Sequence, residues 1–290
     1  MNSLTAFFDW LLTASLRASL LTLAVGMVQF ILCKHLSPRW RYALWLPVLV
    51  VLLMPVLPES RWSLESVMTE KPQIVEIAPA PLTTPLPPAD LPPAVADFTP
   101  ASVPIDWQQI RLLTWASGAA LALLAGGLSF TRTLQRFQRT RQNASTETLA
   151  QLKDVAREVG LRRPPRLLVA STINSPAVTG LLRPVLLLPA GFGHDFTPAE
   201  AHLILRHELT HLKRHDLPLN TLLCVLMALH WFNPLLWLAF FMARADREAA
   251  CDAQVLENAT PQRRSEYGHA LLKMVREEAE HYAREHGGRR

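Results

Sequence analysis

Cysteine is scarce in this sequence, and its distribution argues against two kinds of site. The chain has 290 residues and only three cysteines, Cys33, Cys224 and Cys251. An odd count argues against a framework of disulfides, and no CxxC pair occurs that could hold a structural zinc ion. The N-terminus also lacks a short signal-peptide pattern ending in a small-residue cleavage site. We therefore expect the first apolar segment to remain as an anchor.

Charge is also limited, at 18% of residues, whereas 50% are hydrophobic. Among the basic residues lysine is rare, with 5 lysines against 24 arginines. These basic residues cluster beside long apolar runs, where they are typical of membrane topology signals. Direct binding to nucleic acid is therefore not expected.

Three apolar runs approach the roughly 20 residues that a helix needs to cross a bilayer. They cover residues 11–32, 40–57 and 110–130. Pro47 and Pro55 lie in the second run and predict a kink. Basic links follow the first and third runs, so these links should be cytoplasmic. The sequence thus predicts a multi-pass protein of the inner (cytoplasmic) membrane: two helices in 1–58, a proline-rich outer loop in 59–108 and a third helix in 109–131.

A cytoplasmic domain is predicted over residues 132–260, followed by a charged helical tail over 261–290. Its first helix, near residues 147–159, has an apolar stripe of Leu149, Leu152, Ala156 and Val159. Two short apolar runs, 166–170 and 185–188, predict strands, and residues 174–180 between them are a candidate exposed edge. Thr197-Pro198-Ala199-Glu200 then predicts a capping box that starts a helix running to about Arg214.

That helix carries the sequence His207-Glu208-Leu209-Thr210-His211. Two histidines four residues apart lie on one helical face, so both imidazoles can reach a single zinc ion. Glu208 can then act as the base that deprotonates water at the metal. The alternative is a pair of surface histidines with ordinary partners. The capping box argues against it, because it independently indicates that the motif lies on a helix.

A catalytic zinc ion needs a third protein ligand. His215 lies eight residues beyond His207, about 12 Å along a helix axis, so it is expected to be a bystander. Glu248 is the better candidate, and Asp252, one turn later, can accept a proton from a ligand histidine. Cys251 is expected to pack beside the site, and a solvated helix face is the alternative for the two carboxylates.

The choice of Glu248 has a consequence for topology. Residues 217–242 are apolar enough to cross the membrane, which would leave Glu248 about 30 Å from His207. Because Asn233-Pro234 interrupts this run, we expect a helical hairpin that returns Glu248 to the cytoplasmic side. Whether the hairpin enters the membrane is left open.

The stretch from Ser175 to Tyr267 resembles the BlaR/MecR family of membrane metallopeptidases. The matching pieces are Ser175-Pro176, Gly180, Pro184, Leu188-Pro189, the His207–His211 motif with Arg214 and Asp216, Asn220, Asn233-Pro234-Leu235-Leu236-Trp237, and Arg247-Glu248 through Asp252. The resemblance implies a mainly α membrane protein with a cytoplasmic α+β gluzincin domain. Its zinc ligands would be His207, His211 and Glu248, with Glu208 as catalytic residue. The substrate would be a cytoplasmic protein, a repressor or the chain itself.

The sequence leaves several alternatives for the sensing mechanism, the function and the oxyanion site. In the best-known members a penicillin-binding domain follows, whereas no Ser-x-x-Lys pattern occurs here, so direct acylation by β-lactams is not expected. An HtpX-like quality-control protease is the alternative enzyme, and a scaffold with a relic site is the alternative from another class. A homodimer is possible. The candidates for stabilising the oxyanion are Tyr267, His230 and Arg244.

Overall fold

The computed structural model describes residues 3–54 and 106–286. The helices are α1 (Ser3–Ile31), α2 (Pro38–Ala43), α3 (Leu46–Leu53), α4 (Trp107–Arg139), α5 (Thr146–Val159), α6 (Phe192–Asp195), α7 (Pro198–Lys213), α8 (Asp216–Leu229), α9 (Pro234–Val255) and α10 (Pro261–His286). The strands are β1 (Arg141–Gln142), β2 (Arg166–Ala170), β3 (Ala177–Thr179) and β4 (Val185–Pro189). The predicted mainly helical class with a small sheet is therefore confirmed. The predicted outer loop lies almost wholly outside the described residues.

Two of the described helices, α1 and α4, are long and apolar enough to cross a membrane. They correspond to the first and third apolar runs. The second run divides into α2 and α3, with the break at Leu44 and Trp45, just before Pro47. Its last residues lie outside the described part of the chain, so a third crossing helix stays a prediction.

The hairpin predicted at Asn233-Pro234 is present as α8 and α9. The Asn233 side chain accepts hydrogen bonds from the backbone N–H groups of Leu235 and Leu236, which caps α9, and Pro234 occupies its first turn. The hairpin turn packs between α1 and α4. A Cβ on Gly118 of α4 would lie 2.3 Å from the Trp231 ring, so glycine permits this close approach. We call α1 to α4, together with the α8–α9 hairpin, the apolar half of the molecule.

The sheet half comprises the four strands with α5 to α7 and α10. Its strand order is β1-β2-β4-β3, with β2 and β4 parallel and β3 antiparallel to β4. Both predicted strands are present, and β3 lies in the predicted exposed edge. Helix α5 buries Leu152, Ala156 and Val159 as predicted. Leu149 is exposed, and Val155 is buried in its place because it fits the same face of the helix.

The start of α7 is fixed by the predicted capping box. The Thr197 hydroxyl accepts from the backbone N–H of Glu200, and the Glu200 carboxylate accepts from that of Thr197 at 2.8 Å. Pro198 takes the first helical position. Behind the helix, the buried side chains of Leu205 and Leu209 pack into the core beneath the sheet. These contacts hold one face of α7 against the sheet half and leave the histidine-bearing face open.

Candidate metal centre

Two imidazole rings meet on one face of α7. The ring centroids of His207 and His211 are 4.7 Å apart, and their Nε2 atoms are 3.1 Å apart. The side chains are only 16% and 12% exposed. A spacing of four residues has therefore brought two ring nitrogens to a single point.

Each imidazole uses its other nitrogen to contact a carboxylate. His207 Nδ1 lies 3.0 Å from Asp252 Oδ1, and His211 Nδ1 lies 2.7 Å from Asp216 Oδ2. An ionised carboxylate can only accept, so each Nδ1 carries the proton. In the neutral rings both Nε2 atoms then hold lone pairs, which repel at 3.1 Å unless a cation lies between them. The histidine pair is thus suited to a metal ion.

Glu248 on α9 supplies a third donor atom. Its Oε2 lies 3.1 Å from His211 Nε2 and 3.7 Å from His207 Nε2. Ligand atoms about 2.0–2.1 Å from a tetrahedral zinc ion lie on the order of 3.3 Å from one another, so the three atoms fit zinc. The other oxygen, Oε1, accepts from Arg247 at 3.0 Å, and Arg247 also donates to Asn220 at 3.2 Å. This arrangement keeps Oε2 directed at the histidines.

Cys251 is the competing third donor. It is fully buried, and its Sγ lies with the two histidine nitrogens in a group whose atoms are within 4.8 Å of one another. The thiol also contacts the backbone oxygen of His207 at 3.6 Å. The Glu248 spacing is closer to that of a ligand, so we favour the carboxylate. His215 is exposed, has a φ of 58° and lies at the start of α8, away from this group.

The charges around the centre favour a bound cation. Burial opposes protonation of His207, but hydrogen bonds to Asp252, Cys251 and Glu248 outweigh it and raise the pKa of this imidazole. For Glu248, burial alone would raise the pKa of the carboxyl, whereas His207 and His211 lower it well below its ordinary value. Carboxylates that stay ionised around two imidazoles form an anionic pocket, which attracts protons or a metal ion.

Glu208 faces the same cleft from α7. Burial raises the pKa of its carboxyl, and the nearby His207 and His211 oppose this shift. A hydrogen bond from the backbone of Val178 on β3 also lowers the pKa of this carboxyl. Glu208 is therefore placed between the histidine pair and the outer strand of the sheet, where a raised pKa suits a group that takes up a proton.

The cleft above these residues has a volume of about 410 Å³. Its walls come from both halves of the molecule. The lining includes Phe130 of α4, all of β3, Leu217, Asn220 and Thr221 of α8, and Arg244 and Arg247 of α9. Of the three candidates for stabilising an oxyanion, Arg244 lines this cleft. His230 is buried in the hairpin turn, and the Tyr267 hydroxyl lies behind His207.

Two contributors to the centre were missed from the sequence. Asp216, which contacts His211, had been noted only as part of a family resemblance. Tyr267 was considered for the oxyanion, yet its hydroxyl donates to Asp252 at 2.6 Å and lies 2.8 Å from His207 Nδ1. A carboxylate five residues after a ligand histidine, just past the helix end, is a local signal for Asp216. Tyr267 comes from a helix 60 residues away, for which the sequence has no such signal.

Comparison with known proteins gives one family match over most of the chain. The family model described as BlaR1 peptidase M56 matches residues 10–286. The regulatory protein BlaR1 of Bacillus licheniformis is 31% identical over 162 residues, which is 56% of this chain. The methicillin resistance mecR1 proteins of Staphylococcus aureus and Staphylococcus epidermidis are 36% identical over 104 residues, or 36% of this chain. The matched parts cover 27% of the Bacillus protein and 18% of each staphylococcal one.

Proposed function

Since this chain belongs to the BlaR1 peptidase M56 family, we propose that it is a membrane-anchored zinc endopeptidase. Its proposed substrate is a cytoplasmic protein, a transcriptional repressor as the family resemblance implies, with its own chain as a second candidate. The proposed setting is the signalling of antibiotic resistance, which the methicillin resistance proteins suggest. The observation that carries the proposal is the triangle of His207 Nε2, His211 Nε2 and Glu248 Oε2, with sides of 3.1–3.7 Å.

In the proposed reaction a zinc ion held by His207, His211 and Glu248 would act as a Lewis acid, lowering the pKa of water and polarising a peptide carbonyl. Glu208 takes the proton from the attacking water and can deliver it to the leaving amine. Arg244 is the proposed donor to the oxygen on which negative charge develops, because it lines the same cleft. Asp216 and Asp252 keep each histidine in the tautomer that binds metal through Nε2.

The outer strand β3 is the proposed seat of the peptide to be cleaved. It pairs with β4 along one edge, and its other edge borders the cleft that holds Glu208. An extended peptide can add to such an edge through backbone hydrogen bonds, which places one of its peptide groups over the metal ligands. This mode of binding favours an unfolded loop or linker of the substrate over a folded surface.

For the topology, we propose that α1 and α4 cross the membrane and that residues 132–290, apart from the tip of the α8–α9 hairpin, lie on the cytoplasmic side. The α8–α9 hairpin would enter the bilayer from that side and return. Asn233 at its turn donates to the hydroxyls of Ser15 and Ser19, at 2.7 and 2.8 Å, near the middle of α1. Exposed Trp237, Leu238 and Phe241 would then face lipid.

A Glu208→Gln variant tests the reaction. An amide can still hydrogen-bond to water but cannot take its proton, so proteolysis should fall by about 10²–10⁴-fold while zinc is retained. Cells with the wild-type chain and with Glu208→Gln are compared by proteomics for a cytoplasmic protein that only the former cuts. Glu147→Gln, an exposed glutamate of α5, is the matched control. Activity of Glu208→Gln within tenfold of wild type would remove Glu208 as the base.

Single cysteines test the topology in a background without the three native ones. Asn143 and Ser265 are exposed in the sheet half. In intact cells both should resist a membrane-impermeant thiol reagent and react after permeabilisation, whereas a cysteine at Thr84 in the proposed outer loop should react at once. If Ser265 is labelled in intact cells and Asn143 is not, the hairpin crosses the membrane, and Glu248 cannot be a ligand.

A further inference from the structure

A buried carboxylate on α9 fastens the helix that carries Glu248 to the first part of the chain. The Asp246 side chain is 3% exposed. Its Oδ2 accepts from Gln29 Nε2 at 3.1 Å and from Trp45 Nε1 at 2.8 Å, and its Oδ1 pairs with Arg41 at 2.7 Å. Gln29 also donates to the backbone oxygen of Arg41 at 2.9 Å. We call these four residues the Asp246 network.

A charge buried in this way is costly unless every partner is in place. One cation and two neutral donors satisfy Asp246, and they come from α1, α2 and the break between α2 and α3. The partners are more than 200 residues away in sequence. The Asp246 network therefore favours one arrangement of α9 against the apolar half.

Helix α9 has a second attachment to α1 at its other end. There Asn233 donates to the hydroxyls of Ser15 and Ser19. Asn233 and Asp246 are 13 residues apart, and Ser15 and Gln29 are 14 apart, which corresponds to about 20 Å along each helix. The two helices thus run side by side. Asn233 fixes the far end of α9, whereas the Asp246 network fixes the part of α9 next to Glu248.

Glu248 follows Asp246 by two residues, or about 200° around the helix at 3.6 residues per turn. Asp246 accordingly faces α1 and α2, while Glu248 faces the histidines of α7. A rotation or shift of α9 that moves Asp246 moves Glu248 as well. Metal–ligand distances are fixed to about 0.2 Å, so even a small shift weakens a ligand.

We propose that Asp246 is a positioning residue for Glu248, so that the metal affinity depends on how α1 and α2 sit against α9. The inference rests on the proposed function, in which Glu248 is a zinc ligand. Through the Asp246 network, movements of the membrane helices would alter the metal affinity. A displacement of α1 or α2 that opens the Asp246 network would move the third ligand away from the two histidines.

The test measures the zinc dissociation constant of the full chain in detergent, by competition with a chromophoric chelator, together with thermal unfolding of the metal-free protein. Asp246→Asn should raise the dissociation constant by about tenfold, the lower end of the range for direct partners of metal ligands, because Asp246 acts on Glu248 only through the position of α9. Asn233→Ala is the matched control, because it removes the other attachment of α9, about 22 Å from Glu248 along the helix. It should lower the unfolding temperature and leave the dissociation constant within about twofold of wild type.

A double-mutant cycle separates positioning from general loosening. In a Glu248→Ala background the weak zinc binding that His207 and His211 retain is measured by titration with excess zinc. Asp246→Asn should not lower this residual affinity further, because its effect runs through Glu248. Trp45→Phe, which keeps an aromatic ring and removes one donor, provides a milder variant should Asp246→Asn not fold. An unchanged dissociation constant in a folded network variant, equal losses in Asn233→Ala, or additive losses in the cycle would overturn the inference. A wild-type chain that binds no zinc would overturn the proposed function instead.

Discussion

Different interactions stabilise the two halves of the molecule. In the sheet half, fully buried leucines such as Leu188, Leu205 and Leu209 pack into one core between α5, α7 and the sheet. In the apolar half, α1 turns large apolar side chains outward, with Leu20 at 56% and Phe30 at 82% exposure. It contacts the hairpin through small and apolar side chains such as Ala18 and Val25, and through the polar contacts of Asn233 and the Asp246 network.

This difference follows from the solvent that each half is proposed to face. Water drives apolar side chains together, so a core of leucines suffices in the sheet half. Lipid tails are as apolar as leucine, so helices in a membrane gain specificity from close packing and from hydrogen bonds between them. The candidate metal centre lies where the halves meet, because its histidines come from α7 and Glu248 comes from a helix fastened to α1.

Removing single ligands tests this division and should have the largest effect. His207→Ala, His211→Ala and Glu248→Ala should each abolish stoichiometric zinc, since each removes one corner of the triangle. Elemental analysis of purified protein is the measurement, with His215→Ala and Cys251→Ser as controls that retain zinc. Full zinc in Glu248→Ala together with its loss in Cys251→Ser would transfer the third ligand to the thiol. The centre would still draw that ligand from α9.

A pair of identical substitutions compares the two halves directly. Leu205→Ala in the sheet half removes a fully buried side chain and should cost about 2–5 kcal/mol of unfolding free energy. Leu20→Ala on α1 removes a side chain that would face lipid, so the cost in a bilayer should be well below 1 kcal/mol. Denaturation in lipid nanodiscs measures both. Equal costs would show that the exposed face of α1 is covered by protein, as in a homodimer.

The elements that local signals determine could be predicted from the sequence. The capping box at Thr197, the strands and the hairpin at Asn233-Pro234 each depend on residues within a few positions of one another. The spacing of His207 and His211 also predicted that their nitrogens meet. These features follow from backbone geometry, which a short stretch of chain largely fixes.

Long-range partners could not be predicted in the same way. Apolar patterning indicates that α1 is buried or in lipid. It does not show that Gln29 of α1 and Arg41 of α2 contact Asp246, which is more than 200 residues away in sequence. The division of the second run into α2 and α3 was foreseen only as a kink near Pro47. The position of Tyr267 behind His207 depends on how α10 docks, which is set by the tertiary packing of Leu203 and Val255.

Tyr267 sharpens the comparison within the sheet half, with an expected effect smaller than that of removing a ligand or a core leucine. Its ring is 3% exposed, and its hydroxyl bridges Asp252 and His207 Nδ1. Tyr267→Phe keeps the packing and leaves Asp252 as the sole acceptor for the imidazole, so the zinc dissociation constant should rise about tenfold, the lower end for such partners. Chelator competition measures it, and Leu203→Ala, which loosens the same cluster without touching the hydrogen bonds, is the control. If Leu203→Ala weakens zinc as much as Tyr267→Phe, then α10 supports the centre by packing, and the hydroxyl has no separate role.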